Sequence, residues 1–386
     1  MAVSELDDGV VDAAASGLSE TRVPVTQARH MPGYIYTSPE VFRLEKERIF
    51  TKDWLCVARV EEIERPGDYL TLRILGEPII LARDDDDDIN VFANVCRHRG
   101  VEVVRGHGNT SLFSCPYHGW RYDLTGRLTG VAYMAEAEHF DPANCRLKPI
   151  RSGVWRGWVF INFDANAEPL EDFVAPLEED FGILEMDRCR LFAKHQVEID
   201  CNWKFVVENL TDIYHSEVLH AKTFAESIDT EKIVYKLTAR GGNSSFYDAA
   251  PHNPSGKAIF GKMPWMADQP ESFARSGFLA PNFDMFSRID EAHPVIIWPV
   301  SPTKTHILIY QLFPAEFFAI NNFEQKAQLY LDYMIDIAEE DREMIESLQN
   351  AMDSMLFEPG WMSYLERGVH HVITHYLDRM FPTERA

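Results

Sequence analysis

The chain of 386 residues carries two short segments that each pair a cysteine with a histidine, Cys-Arg-His-Arg-Gly at 96–100 and Cys-Pro-Tyr-His-Gly-Trp at 115–120. In each segment the two metal-binding side chains lie two or three residues apart, and a glycine follows. With 6 cysteines and 14 histidines in the chain, chance would produce this arrangement with a probability on the order of 10⁻⁴. The segments therefore predict two tight loops that close over one metal group.

Two kinds of metal group use this set of ligands. Cys2His2 sites bind zinc, whereas a Rieske [2Fe–2S] centre has two cysteines on one iron and two histidines on the other. The order of the ligands favours the Rieske centre, as do Gly100 and Gly119 after the two halves and Pro116 within the second. The predicted cluster ligands are Cys96, His98, Cys115 and His118.

The composition of the chain limits its partners. The formal net charge is −24, which argues against nucleic acid or an anionic membrane as a partner. No apolar run approaches about 18 residues, so no transmembrane helix is expected. Residues 1–22 are acidic and lack the basic start of a signal peptide, which predicts a flexible leader. We therefore expect a soluble, cytoplasmic protein.

The region around the cysteine–histidine segments has the opposite charge. Residues 95–130 hold five arginines against Glu102 and Asp123, a local net charge of 5 − 2 = +3. A positive rim around a redox centre suits the docking of an acidic electron carrier. Scattered surface arginines would give the same count and are an equally good interpretation.

The hydrophobic patterns predict two domains of different class. Short alternating strand patterns run from about residue 54 to 163 and predict an all-β module with the metal segments in its loops. The aspartate run at 84–88 lies between two of these patterns and predicts a solvated hairpin turn. A long helix at about 322–357 and later strand patterns predict an α+β domain, with the strands expected at 196–200, 233–237, 295–299 and 306–313. The expected organisation is a leader at 1–40, a Rieske domain at 41–165 and a catalytic domain at 166–386.

A second set of candidate ligands follows the segment that begins at Asn202. If this segment were one continuous helix, Asp212 and His215 would share a face, but His220 would lie one residue past it. Both imidazoles reach one metal only if the helix ends or widens between them. An amphipathic helix with two hydrogen-bonded histidines is the alternative.

A third candidate ligand interrupts the apolar stripe of the long helix. Apolar residues recur every three or four positions from Ala327 to Met355, and Asp341 fills the gap in this pattern. Because a buried charge is costly, Asp341 is expected to bind a metal or to form a buried ion pair. Together, His215, His220 and Asp341 fit the facial triad of non-haem Fe(II) oxygenases. The neighbouring glutamates off the stripe are expected to be solvated: Glu339, Glu340 and Glu343.

These segments together resemble the terminal oxygenase alpha subunit of the Rieske non-haem iron oxygenases. That family includes aromatic-ring dioxygenases and oxidative N- and O-demethylases. The resemblance implies a Rieske β domain and then a helix-grip catalytic domain, an antiparallel sheet around a long C-terminal helix. One [2Fe–2S] cluster and one Fe(II) per chain are implied. Respiratory-chain Rieske proteins are also similar, but they carry two further cysteines where this chain has Val101 and Tyr117.

The resemblance also implies roles for individual residues and an assembly. In the family, the second cluster histidine, here His118, meets the aspartate of a neighbouring subunit, here Asp212, which in turn holds His215. We therefore expect a homotrimer in which Asp212 bridges the two metal centres between subunits, and a separate beta subunit is not excluded. Three residues beside the motif are expected to bind substrate: Asn209, Leu210 and Ser216.

The expected activity is that of an oxygenase. Electrons from NAD(P)H would arrive through a ferredoxin or its reductase, and O2 would be used to hydroxylate, or oxidatively N- or O-dealkylate, a small substrate. Phe, Met and Trp residues between 260 and 298 favour an apolar, aromatic substrate and thus aromatic compound catabolism, or they form ordinary core. The alternatives are cis-dihydroxylation of an aromatic ring and a Rieske electron-transfer protein without oxygenase activity.

Overall fold

The structure, a computed structural model, describes residues 18–223 and 228–382. These residues form two compact units. One unit is Phe50–Phe173, and the other combines the described residues before 50 with those after 173. The domain boundaries predicted after residues 40 and 165 stay predictions.

Seven α-helices are found among the described residues. Helix α2 begins with Pro39, and the hydroxyl of Ser38 caps it by accepting a hydrogen bond from the N–H of Val41 (3.3 Å). None of the helices in the described ranges is long and apolar enough to span a membrane. The helices are α1 Tyr34–Thr37, α2 Pro39–Glu45, α3 Leu170–Phe181, α4 Trp203–Thr211, α5 Ser216–Leu219, α6 Phe323–Ala351 and α7 Arg367–Met380.

The regular secondary structure of the unit Phe50–Phe173 is mainly β-strand, so the prediction of an all-β module is confirmed. Its antiparallel sheets have the strand orders β1-β10-β9, β4-β3-β2-β5 and β6-β7-β8. A core that includes Phe92, Phe113 and Tyr122 joins the second and third of these sheets. The strands are β1 Leu55–Arg59, β2 Asp68–Ile74, β3 Glu77–Arg83, β4 Ile89–Ala93, β5 His107–Asn109, β6 Phe113–Ser114, β7 Arg121–Tyr122, β8 Leu128–Gly130, β9 Arg151–Trp155 and β10 Trp158–Asn162.

The aspartate run at 84–88 forms the hairpin turn between β3 and β4, as predicted. The first aspartate is not solvated, however, because the Asp84 side chain is only 8% exposed. Its carboxylate accepts hydrogen bonds from the N–H groups of Asp86 (3.1 Å) and Asp88 (3.0 Å) and from the amide of Asn90 (2.7 Å). These donors satisfy the buried charge and fix the turn.

The second unit is a seven-stranded antiparallel sheet with the long helix α6 packed on it, in agreement with the expected α+β, helix-grip class. The strand order is β11-β17-β16-β15-β14-β13-β12. Helix α6 packs against α4 and β11. Its apolar stripe is buried at Ala327, Leu331, Met334 and Ile345, whereas Leu348 is exposed. The strands are β11 Cys189–Ile199, β12 Val234–Leu237, β13 Asn243–Asp248, β14 Phe273–Leu279, β15 Phe283–Arg288, β16 Ala292–Ser301 and β17 Lys304–Pro314.

The predicted leader is only partly within the described residues. Its first 17 residues lie outside them. From residue 18 onward the leader packs on the catalytic unit, where the Arg22 guanidinium donates to the carbonyls of Leu377 (2.8 Å) and Phe381 (2.7 Å) at the end of α7. The described part of the leader is therefore docked, which corrects the expectation of a flexible segment up to residue 22.

Candidate metal centres

The two cysteine–histidine segments form two matching loops in the β unit. In the first loop the N–H of Gly100 donates to the carbonyl of Cys96 (2.9 Å), and in the second the N–H of Gly119 donates to the carbonyl of Cys115 (3.0 Å). Gly100 and Gly119 have φ angles of 82° and 69°, which other residues rarely adopt. Glycine thus allows each loop to turn back over its cysteine.

The four candidate cluster ligands differ in exposure. Cys96 and Cys115 are buried, whereas His98 and His118 are exposed. The two imidazoles present the same nitrogen to each other, with the Nδ1 atoms 3.1 Å apart, and the ring of Trp120 stacks on His98 at 5.0 Å. Two buried thiols and two convergent imidazole nitrogens match the donor set of a Rieske centre. These residues would hold the cluster with its histidine end at the surface.

The second candidate centre begins where α4 ends. The Asn202 side chain caps the start of α4 by accepting from the N–H of Lys204 (3.0 Å). The helix stops before Asp212, which has extended backbone angles. The one-turn helix α5 follows, with His215 just before it and His220 just after it. The required break in the helix is therefore present, but it lies ahead of both histidines and α5 separates them.

The structure brings His215, His220 and Asp341 together. Asp341 Oδ1 lies 3.1 Å from His220 Nε2 and 3.6 Å from His215 Nε2. Oδ1 is buried and has no aligned hydrogen-bond donor within the described ranges. The three side chains thus converge on a common point. Ligands at right angles about 2.1 Å from one metal lie ~3 Å apart, and two imidazoles with one carboxylate suit Fe(II).

Two further carboxylates hold the outer nitrogens of these imidazoles. His215 Nδ1 donates to Asp212 Oδ2 (2.8 Å), and His220 Nδ1 donates to Glu340 Oε2 (2.7 Å). This arrangement leaves Nε2 as the ligand nitrogen of each ring. Burial disfavours the charged form of His220, but Asp341 and Glu340 outweigh it and raise the pKa of His220. The site therefore attracts positive charge, as a cation-binding site should.

The expectation that Glu340 is an ordinary solvated residue is wrong. Its side chain is 28% exposed and accepts hydrogen bonds from both His220 and the hydroxyl of Thr223 (3.1 Å). Glu339, one position earlier, is exposed and forms an ion pair with Arg342, as expected of a solvated glutamate. The sequence feature that could have pointed to Glu340 is its position next to the candidate ligand Asp341.

Glu340→Ala is expected to weaken binding of the mononuclear iron by about tenfold, because loss of a carboxylate that orients a ligating histidine typically costs 10–100-fold. Glu339→Ala on the same helix is the matched control and should leave the iron affinity unchanged. Both are measured by competition with a chelator of known affinity. Equal affinities of the two variants would show that Glu340 does not support His220.

A small cavity lies beside the three convergent side chains. Its volume is about 120 Å³, and its lining is mostly aliphatic. A buried apolar cavity of ~150 Å³ is enough to bind benzene, so this cavity suits a small molecule. Asn209, Leu210 and Ser216 belong to its lining, and their contact with substrate stays a prediction.

Most aromatic residues between 260 and 298 have another role. Among the described residues of that range, Phe286 is the only Phe, Met or Trp in the cavity lining. Phe278, Phe283 and Met285 are buried in the core of the sheet. The structure therefore favours the interpretation of this segment as core.

A second cavity, of about 660 Å³, shares Asn209, Asp212, His215 and Ile345 with the lining of the first. Glu208 lines it and accepts a hydrogen bond from the hydroxyl of Tyr36 (2.9 Å). Burial raises the pKa of Glu208 to about 7, although His30 and Tyr36 act to lower it. Glu208 is thus a carboxyl group that titrates near neutral pH.

Glu208→Gln is expected to gain stability relative to the unchanged protein as the pH rises. The pKa of Glu208 rises on folding, from 4.5 to about 7, so its contribution to stability is complete below pH 4.5 and is lost as the pH rises through 7. Glutamine does not titrate. The free energy of unfolding of the variant, relative to that of the unchanged protein, should therefore increase by up to about 3 kcal/mol between pH 4.5 and 8. Urea unfolding at both pH values measures it, and a constant difference would contradict the assigned pKa.

Two family models match the chain in the order of its two units. The model described as the Rieske [2Fe-2S] domain matches residues 53–141, and that of the ring hydroxylating alpha subunit (catalytic domain) matches residues 186–381. The second match covers half of the chain. Both candidate metal centres lie within the matched ranges.

Curated relatives agree with the family models. The chain is 37% identical over 206 residues to the carnitine monooxygenase oxygenase subunit of Acinetobacter baumannii, covering 52% of this chain and 55% of that protein. It is 37% identical over 193 residues to the benzene 1,2-dioxygenase subunit alpha of Pseudomonas putida, covering 47% and 42%. The chain thus spans about half the length of the curated relatives it matches.

A solved structure extends the similarity over nearly the whole chain. The quaternary ammonium Rieske monooxygenase CntA in complex with L-carnitine superposes with a TM-score of 0.76 and 26% identity, covering 92% of this chain and 96% of that one. The shared fold places a Rieske unit ahead of a catalytic unit, and the Rieske domain implies a [2Fe–2S] cluster and the catalytic domain a mononuclear iron. The chain therefore belongs to the ring-hydroxylating alpha subunit family of Rieske oxygenases.

Proposed function

We propose that this chain is the terminal oxygenase of a multicomponent enzyme. It uses O2 and electrons from NAD(P)H, delivered by a ferredoxin or its reductase, to hydroxylate or oxidatively N- or O-dealkylate a small, mostly apolar substrate, with aromatic compounds included. The observation that carries this proposal is the convergence of His215, His220 and Asp341 beside a small cavity with mostly aliphatic walls.

The cavity walls favour an apolar substrate of modest size. A volume of about 120 Å³ is close to the ~150 Å³ of a cavity that binds benzene, so it suits at most a single small ring or a short branched chain. The only carboxylates in its described lining are Asp212 and Asp341, which are already committed to the candidate iron site. A substrate bound here therefore exchanges water for aliphatic contact over most of its surface.

The side chains of the site have distinct roles. When bound, the cluster would supply single electrons, and Fe(II) with open positions beside the triad would supply activation of O2. Asp212 and Glu340 hold the two imidazoles in the tautomer that presents Nε2. The aliphatic walls exclude water from the reacting carbon. Asn209 and Ser216, which line the same cavity, would orient the substrate.

The proposed assembly is a homotrimer in which each active site uses groups of two subunits. Its support is the surface placement of both partners. The cluster histidines His98 and His118 are exposed, and Asp212, 18% exposed, lies in a segment whose side chains Tyr214 and Val218 are exposed apolar groups. Exposed apolar groups of this kind mark protein interfaces. A second copy of the chain is the proposed occupant.

The proposed electron donor is an acidic ferredoxin or reductase. All five arginines between 95 and 130 are exposed, as docking to an acidic carrier requires. Part of this charge is already matched, because Arg105 forms an ion pair with Glu102 (3.0 Å). Donor binding should therefore weaken as the salt concentration rises.

N-demethylation of a quaternary ammonium compound is the second candidate function. It is favoured by the relative named carnitine monooxygenase oxygenase subunit and by the structural similarity to CntA. Recognition of a quaternary ammonium group usually requires an aromatic cage. Tyr247 and Phe286 are the only Phe, Tyr or Trp residues in the described lining, so the cavity supports this candidate less well.

The proposed function is tested with purified metal-loaded protein, a ferredoxin and reductase pair, NAD(P)H and ¹⁸O2. The substrate panel contains toluene, anisole, N-methylaniline, L-carnitine and glycine betaine. Incorporation of one labelled atom, or release of formaldehyde from a methyl group, is expected for an apolar substrate. A diol with two labelled atoms would instead favour the dioxygenase alternative. No substrate-dependent O2 uptake by protein with both metal centres filled would overturn the proposal.

A further inference from the structure

A buried imidazole in the cavity has one nitrogen without a partner. His293, near the start of β16, is fully buried and lines the cavity. Its Nδ1 lies 3.0 Å from Glu291 Oε2, whereas its Nε2 is buried without any hydrogen-bond partner in the described chain. A buried polar atom without a partner loses its hydrogen bonds to water and gains none in return, which destabilises the folded state. A ligand in the cavity could remove this cost by bonding to Nε2.

The carboxylate of Glu291 determines which protons the histidines carry. Glu291 is fully buried and accepts three hydrogen bonds, from His252 Nδ1 (3.0 Å), His293 Nδ1 (3.0 Å) and Gln311 Nε2 (2.7 Å). Burial alone would raise the pKa of Glu291, but the two imidazoles outweigh it and lower that pKa. An ionised carboxylate can only accept. Each imidazole therefore carries its proton on Nδ1.

A buried guanidinium belongs to the same cluster as the Glu291 carboxylate. Arg288 is 2% exposed, and its positive charge offsets the negative charge of Glu291. Burial, together with the charge of Arg288, lowers the pKa of His252 well below its ordinary value. Burial also raises the pKa of Asp290 well above its ordinary value, so this carboxyl adds no charge. In the tautomer that donates from Nδ1 to Glu291, the Nε2 atom of His293 carries a lone pair and accepts a hydrogen bond.

The ring of His293 is fixed in two directions. Phe286, its partner across the β15–β16 pair, stacks on the ring with centroids 5.3 Å apart and planes 4° apart. Glu291 fixes rotation within that plane through Nδ1. A binding group held in this way loses little freedom when a ligand binds. The acceptor is thus preorganised in the same cavity that His215 and Asp341 line.

A metal ion is a poorer occupant of this cluster. His252, Glu291 and His293 lie close enough together to hold a cation. Their facing atoms, however, already form hydrogen bonds with one another, and Gln311 directs a donor at the carboxylate. Arg288 also repels a cation in a buried setting. The arrangement is that of a hydrogen-bonded network.

We propose that His293, held by Glu291, is a specificity-determining residue that accepts a hydrogen bond from an O–H or N–H group of the substrate. This inference rests on the proposed function, because it places the substrate in the cavity beside the candidate iron site. The substrate class is then a small, mostly apolar molecule with one hydroxyl, amine or amide donor. A fully methylated ammonium group has no such donor and would gain nothing from His293.

The test compares ligands that match in shape and differ in one donor. Phenol is paired with fluorobenzene and benzyl alcohol with benzyl fluoride, and binding to the metal-loaded protein is measured without O2 by calorimetry. The donor member of each pair should bind about tenfold more tightly, the value of one hydrogen bond to an otherwise unpaired group. Equal binding within both pairs, or no binding at millimolar concentration, would overturn the inference.

Three variants test whether the preference for donor ligands depends on His293. His293→Asn keeps a donor for Glu291 but has no atom at the position of Nε2, so the preference should disappear. His293→Gln keeps a polar atom near that position and should retain part of the preference for donor ligands. Partial retention would show that the loss in His293→Asn does not come from misfolding. Ser276→Ala alters another polar residue of the same lining and should leave the preference intact. Loss of the preference in Ser276→Ala alone would overturn the assignment.

Two further outcomes distinguish this inference from a metal-site interpretation and from the proposed function. Binding of a divalent metal beyond about three irons per chain, lost in Glu291→Gln, would show a cation site and overturn the inference. The binding assay requires no turnover, so its failure leaves the oxygenase proposal standing. Conversely, absence of turnover in the ¹⁸O2 experiment would overturn the proposed function while the preference for donor ligands could still be measured.

Discussion

Asp341→Ala is expected to remove the mononuclear iron and reduce turnover below ~1% of the unchanged protein, a loss of at least about 2.7 kcal/mol of transition-state stabilisation. Asp341 Oδ1 is the only carboxylate oxygen within the described residues that converges with the Nε2 atoms of His215 and His220. Two imidazoles alone hold Fe(II) weakly, because the carboxylate supplies the negative charge and the third coordination position. The spectrum of the Rieske cluster should be unchanged.

The measurement is the iron content per chain together with the cluster spectrum and turnover. Iron should fall from about three to about two atoms per chain. Asp336→Ala is the matched control, because Asp336 lies on the same helix and is exposed; it should keep both iron and turnover. If Asp341→Ala retained full turnover, the carboxylate would not be a ligand and the apolar stripe would contain an ordinary buried charge.

The candidate ligands could be predicted because their signals are local. The cluster ligands follow a fixed spacing within two short segments, and Asp341 interrupts a helical repeat that any helix of that sequence must present. Glu340 and Glu291, which hold imidazoles from distant parts of the chain, gave no such local signal. Glu340 meets His220 across 120 residues of chain, and Glu291 meets His252 across 39. Only the folded sheet and helix bring these pairs together.

Strands were predictable where β-branched residues alternate or cluster, as in β16 and β17. The strands β13 and β14, Asn-Ser-Ser-Phe-Tyr-Asp and Phe-Ala-Arg-Ser-Gly-Phe-Leu, lack that pattern and were not predicted. Each is paired on both sides within the seven-stranded sheet, so neighbours supply what local propensity does not. The long helix ends at Ala351 and not near residue 357. Its apolar pattern continues through Met355, which is 96% exposed and therefore provides no packing.

Asp212→Ala is expected to slow electron delivery to the mononuclear iron by about 100-fold or more while both metal centres remain in place. Asp212 accepts a hydrogen bond from His215 Nδ1 (2.8 Å) and from the N–H of Tyr214 (2.7 Å), so it both orients a ligand and lies at the surface beside it. Outer residues that orient a ligating histidine are typically worth 10–100-fold. In the proposed trimer, removal of Asp212 would also remove the contact with His118 of the neighbouring subunit.

The measurement is the rate at which the reduced cluster is reoxidised after mixing with substrate and O2, with Fe(II) at saturating concentration so that weaker metal binding is excluded. Asp212→Asn keeps an acceptor for His215, so its rate of cluster reoxidation should fall much less than that of Asp212→Ala. If Asp212→Ala with both metals in place reoxidised its cluster at the normal rate, Asp212 would have no part in the transfer.

Mixed assemblies of the proposed trimer test whether electron transfer runs between subunits through Asp212. A His118→Ala chain lacks a complete cluster site, and an Asp341→Ala chain lacks a complete iron site, so each alone should be inactive. If the cluster of one subunit serves the iron of its neighbour, coassembly of the two variants should restore a substantial part of the turnover. Adding Asp212→Ala to the His118→Ala chain should abolish this rescue, because that chain holds the receiving iron. Adding it to the Asp341→Ala chain should have no effect. Equal rescue whichever of the two chains carries Asp212→Ala would contradict the bridging role.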